Sequence, residues 1–139
     1  MISSVLVPMD DSEMSAHALR YALESFPEAQ ITVLHVVGKP SSMLGTATGL
    51  ALAEDLEAEA TDFAEPVFET ARSIASEYDR EIETVVDVGQ PTRAILDKAE
   101  AHETVVMGSH GGNLMDRLLI GNVADRVFKR SPVPVITVR

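Results

Sequence analysis

Short β-branched runs alternate with segments of helical spacing along all 139 residues of this chain, and few folds accept that order. Val5-Leu6-Val7 closes at Pro8. Ser12 is placed to cap a helix marked by Met14, Ala18, Tyr21, Ala22 and Phe26, and Pro27 stops it. Ile31 to Val37 reads as a strand ended by Gly38 and Pro40, and a small, polar loop runs from Ser41 to Gly49. Leu52, Leu56, Ala60, Phe63, Val67, Ala71, Ile74 and Tyr78 mark one face of a long helix. Pro66 should kink or divide that helix. Ile82 to Val88 is a third strand. Gly89-Gln90-Pro91 turns into a helix that continues to about His102. Thr104-Val105-Val106-Met107 is a fourth strand, a helix runs from Asn122 to Lys129, and Pro134 to Val138 closes the chain as a fifth.

Strands separated by helices imply one α/β domain over residues 1–139. It should be a doubly wound five-stranded parallel sheet, order 3-2-1-4-5, with helices on both faces. In such folds a ligand lies beyond the carboxyl ends of the strands, where the strand order reverses. Two segments with suitable chemistry fall there. Pro8-Met9-Asp10-Asp11 follows the first strand, and Gly108-Ser109-His110-Gly111-Gly112 follows the fourth, with Gly121 before the last helix. A glycine loop between a strand and a helix start presents backbone N–H groups and a helix dipole to phosphate. The spacing Gly-x2-Gly-x9-Gly matches neither the P-loop nor the Gly-x-Gly-x-x-Gly fingerprint. A tight turn with a helix-packing glycine would explain the same residues, and helix capping would explain Asp10 and Asp11.

The charge limits the partners. Twenty-two acidic residues face 11 basic ones, net −11, and only Lys39, Lys98 and Lys129 are lysines. A field of that sign disfavours nucleic acid and anionic membranes, so any phosphate site must be built from amides, a helix dipole or a metal ion. Mg is the expected companion of a triphosphate. The acid-rich, lysine-poor composition resembles proteins of salt-loving organisms. No apolar run approaches a membrane span, the first residues read as a strand rather than a signal peptide, and cysteine is absent. A cytoplasmic location is expected. His110 lacks a paired nucleophile, and His17, His35 and His102 are scattered, so neither a catalytic base nor a metal cluster is expected.

Taken together, Pro8-x-Asp10-x-Ser12, His35-Val36, Gly89-x-Pro91, Gly108-Ser109-His110-Gly111-x9-Gly121, and Pro132 with Pro134-Val135 resemble the universal stress protein family, in its ATP-binding glycine-loop branch. The resemblance runs over essentially the whole chain. It implies a homodimeric, ATP-, ADP- or AMP-binding stress-response regulator with at most slow hydrolysis. By position it places Asp10, after Pro8, at the ribose and the backbone of Val36 at adenine. Gly108, Ser109, His110, Gly111, Gly121, Asn122 and Val123 fall along ribose and phosphates. The family usually has Ser or Thr after the last glycine. Here it is Asn122, whose amide also donates and which would equally cap the helix. A dimeric scaffold without nucleotide, or a phospho-acceptor receiver domain, are the alternatives. A receiver needs a Lys ending the fifth strand, and none is present, although Asp87 could stand as acceptor. The apolar last strand, with Val133, Val135, Ile136 and Val138, should lie at a sheet edge and pair with a second copy.

Overall fold

The computed structural model describes residues 1–38, 49–109 and 122–139, and of residues 49–57 only the helical backbone. The elements are β1 (Ser4–Pro8), α1 (Glu13–Ser25), β2 (Gln30–Val37), α2 (Gly49–Glu77), β3 (Glu83–Val88), α3 (Pro91–Ala99), β4 (Thr104–Gly108), α4 (Asn122–Arg130) and β5 (Val135–Val138). Every pairing is parallel and the order is β3-β2-β1-β4-β5. The expected doubly wound sheet is therefore present.

Alternation along the strands sorts the core into two layers. Val5, Val7, Ile31, Val33 and Val106 pack with Ala18, Leu19 and Ala22 of α1 and Ala64, Phe68 and Ala71 of α2. Leu6, Leu34, Val105 and Met107 face the other way, onto Ile95 and Ala99 of α3 and Ala124 and Val127 of α4. The central strands β1 and β4 are covered on both faces, which is why their sequences are continuous apolar runs rather than alternating ones. The edge strands β3 and β5 are half-buried.

Four expectations need correcting. α2 continues through Pro66 undivided. Pro66 and Asp62, whose carbonyl loses its helical partner, both lie on the exposed side, where that carbonyl is open to solvent rather than buried unpaired. Phe63 is 67% exposed, and Ala64 and Phe68 take the inward positions. On α1 the buried stripe is Ser15, Ala18, Leu19, Ala22 and Leu23, with Tyr21 exposed. α3 ends at Ala99, and the His102 ring donates from Nδ1 to the Lys98 carbonyl at 2.9 Å, closing the helix end.

The end of α2 is a Schellman turn. Arg80 N–H donates to Ala75 O and Asp79 N–H to Ser76 O, with Asp79 in the left-handed region at φ 54°. Arg80 then donates to the carbonyls of Leu23 (3.1 Å) and Ala29 (2.6 Å), fastening α2 to the α1–β2 turn. Gly89, at φ 139°, occupies a backbone region that only glycine adopts readily. Its N–H donates to Val37 O, turning the chain from β3 into α3.

Candidate functional site

From β1 the chain moves outward through β2 to β3, then returns to the opposite side of β1 as β4. The reversal opens a crevice beyond the carboxyl ends of β1 and β4. Counting on from the pair Leu6↔Val105 sets Met9 level with Gly108. Asp10 is thus the second residue past β1 and Ser109 the first past β4, level with one another at the switch point, as the sequence predicts.

Asp10 is built into the start of α1. Its Oδ1 accepts from Ser12 N–H at 2.8 Å and from the Ser12 hydroxyl. Ser12 caps the helix, its Oγ accepting from Ser15 N–H at 3.2 Å. Oδ2 has no donor among the described residues, and the side chain is half-exposed. Among the described residues, one carboxylate oxygen therefore fixes the turn and the other makes no hydrogen bond. The helix cap is Ser12 itself, and Asp10 supports that cap from two residues earlier.

The residues at the end of β4 turn out to serve the fold. A Cβ built on Gly108 would lie 2.8 Å from Met14 Cγ and 3.0 Å from the Met14 carbonyl carbon, so glycine is what lets β4 approach the first turn of α1. Ser109 is buried at 1% exposure, and its N–H donates to Val138 O at 2.8 Å, extending the β4–β5 ladder. That amide is not offered to a phosphate. His110, Gly111 and Gly121 lie outside the described residues.

The remaining positions are spread over several elements. Pro8 ends β1. Val36 is the last residue but one of β2, level with Asp87 of β3, and its side chain packs on the α3–α4 layer. Asn122 is the first residue of α4 rather than the residue before it, and is exposed. Val123 packs onto the same layer as Val36. Asp87 Oδ1 accepts from the N–H of Val88, its own neighbour, at 2.9 Å. Val133 and Val135 lean on the α3–α4 layer and Ile136 and Val138 on the α1–α2 layer, so each is already part of this chain's core while remaining half-exposed.

Two side chains at the site have roles that the sequence does not reveal, although His35 belongs to the His35-Val36 pair that carries part of the family resemblance. His35, which looks isolated in the sequence, donates from Nδ1 to the Met9 carbonyl at 2.8 Å. Ser15 is buried, and its hydroxyl meets both backbone groups of Asp10. The spacing Ser12-x-x-Ser15 is the one local hint. Among the described residues no group of three or more His, Asp or Glu could hold a metal ion, and no helix is long and apolar enough to cross a membrane.

The family model described as the universal stress protein family matches residues 1–139. The chain belongs to the universal stress protein family. This universal stress protein is 28% identical to universal stress protein YxiE of Bacillus subtilis, with 100% of both chains covered. It is 27% identical to universal stress protein MJ0577 of Methanocaldococcus jannaschii, over 100% of this chain and 96% of that one. Among solved structures, UspA from Lactobacillus plantarum superposes with a TM-score of 0.77 at 26% identity, covering 99% of this chain and 98% of its own.

Proposed function

We propose that this universal stress protein binds an adenine nucleotide, ATP foremost, in the crevice beyond β1 and β4, and acts as a homodimeric regulatory module in a stress response. The observation that carries the reading is Asp10. It stands at the switch point with one oxygen pinned by Ser12 and the other turned to no donor among the described residues. A carboxylate so held accepts from a pair of ribose hydroxyls without first losing rotamer freedom. Two fold neighbours support the ligand class by name, a universal stress protein in complex with cAMP and an Arabidopsis thaliana family member with AMP bound.

In this reading the backbone of Val36 meets adenine, Asp10 meets ribose, and Gly108, Asn122 and Val123 lie along the phosphates with His110, Gly111 and Gly121. Ser109 supports the loop from within. With a net charge of −11, a triphosphate would take Mg with it. No residue is assigned as a general base, so hydrolysis would be slow at most.

Mass spectrometry of small molecules released from the denatured protein, followed by calorimetry with ATP, tests the reading. Asp10→Ala should weaken ATP by about 1.5–3 kcal/mol, the range for a hydrogen bond to a charged group. A parent protein that releases no nucleotide and binds none would instead support a dimeric scaffold. The use of Gly108 and the Ser109 amide by the fold itself, and Asn122 in place of a hydroxyl residue, favour that second reading.

A further inference from the structure

The peptide joining Met9 to Asp10 is gripped from both sides by side chains. Its carbonyl accepts from His35 Nδ1 at 2.8 Å, and its N–H donates to Ser15 Oγ at 3.3 Å. The preceding peptide is tied to the same neighbouring strand, Met9 N–H donating to Leu34 O at 2.8 Å. Ser15 Oγ lies 3.0 Å from both Asp10 O and Ser12 O and can donate its one proton to either, so the next peptide is held as well.

None of this is needed to make the strand or the helix. β1 and β2 are already paired from Ser4↔Gln30 to Pro8↔Leu34, and α1 is capped by Ser12. The two extra groups act past the end of the ladder, where a chain leaving a strand is otherwise free to turn. They come from two different elements, β2 and α1. His35 points to the α1–α2 side of the sheet, since Val33, two residues before it, and Val86, the register partner of His35, both do. Its neighbour Val36 therefore points to the other face.

We infer that His35 and Ser15 are positioning residues of the nucleotide site: together they fix the peptide that aims the Asp10 carboxylate at the ribose. The inference rests on the nucleotide-binding reading above. His35 contributes an Nδ1–H, so the ring carries its proton on the nitrogen facing Met9. It also couples the strand end that would meet adenine to the turn that would meet ribose.

The test compares ATP with 2′,3′-dideoxy-ATP by calorimetry, so that only the part of affinity due to ribose hydroxyls is read. The parent should prefer ATP by roughly 10- to 100-fold, the worth of hydrogen bonds to a carboxylate, and Asp10→Ala should bring the ratio near one. His35→Leu and Ser15→Ala should each lower the ratio several-fold. His35→Asn should retain it, because Asn Nδ2 stands where His Nδ1 does. The ratio is taken within each variant, so a general loss of stability cancels, and Ser15→Ala provides an independent arm if His35→Leu does not fold. Parent-like ratios in both His35→Leu and Ser15→Ala would overturn the inference, as would His35→Asn behaving like His35→Leu. A parent that binds ATP without discriminating would overturn the placing of Asp10 at the ribose and this inference with it, whereas a parent that binds no ATP would defeat the nucleotide reading itself, so the two failures are told apart by the parent alone.

Discussion

Gly108→Ala is the perturbation whose cost the geometry defines best. The added methyl would lie 2.8 Å from Met14 Cγ, 3.0 Å from Met14 C and 3.1 Å from Met14 O. Ordinary carbon contacts are about 3.5–4.0 Å. Met14 Cγ can swing aside, but the carbonyl belongs to the first turn of α1 and moves only with the helix. Forcing one extra carbon into a packed site costs about 1–3 kcal/mol. For a domain of this size each kcal/mol lowers Tm by about 3–5 °C, so the midpoint should fall by about 3–15 °C. Differential scanning calorimetry on Gly108→Ala, Met14→Ala and the double variant separates the contributions. Relief should be partial, because Met14→Ala removes the Cγ contact and leaves the backbone ones. Gly108→Ala melting within a degree of the parent would refute the close-approach argument, and so would complete recovery in the double variant.

Asp79→Gly should raise stability by about 1 kcal/mol, because a non-glycine residue held at φ 54° bears the left-handed penalty; an unchanged urea midpoint would contradict this. The Ser3 N–H and hydroxyl and the Ser4 N–H hold the Glu103 carboxyl below its usual range. A depressed folded pKa contributes stability above the unfolded value of about 4.3, lost as pH falls through the folded one. The stability gap between parent and Glu103→Gln should therefore close in acid denaturation below about pH 4, and a gap independent of pH would be inconsistent with it. Melting temperature should rise with potassium chloride, because screening shortens from about 10 Å at 0.1 M to about 3 Å at 1 M, and a flat response would show that repulsion among the 22 acidic residues is unimportant. Ile136→Lys with Val138→Lys should leave monomers by analytical ultracentrifugation if β5 pairs two copies. A parent that sediments as a monomer at micromolar concentration would exclude that pairing.

The layered fold was legible because its strongest signals are one-dimensional. Val5-Leu6-Val7 and Thr104-Val105-Val106-Met107 can only be strands buried on both sides, and the helical spacing between strands forces parallel crossovers. Which helix face turns inward was less legible. On α2, Phe63 and Ala64 are both acceptable on the stripe that contains Ala60, and the bulkier residue carries the louder signal. Close packing on the sheet selected the alanine and left Phe63 outside. At the site, Asp10 and the glycines stood out by residue type, whereas the purpose of Gly108 did not. Glycine next to a phosphate and glycine next to Met14 look identical in sequence, and only the 2.8 Å approach tells them apart. The roles of His35 and Ser15 were not legible because their partners, the Met9 carbonyl and the Asp10 backbone, are main-chain groups brought together by the fold.

The strand order also has a consequence for how the chain is made. β1 emerges early and pairs β2, but its other edge waits for β4, whose pairing residues Thr104 and Val105 come about a hundred positions later. Until then Leu6 and Leu34 face a side of the sheet whose cover, Ile95 and Ala99 of α3 and Ala124 and Val127 of α4, has not been synthesised. At ribosomal speeds of about 5–20 residues per second, that leaves an apolar face and an open strand edge together for several seconds.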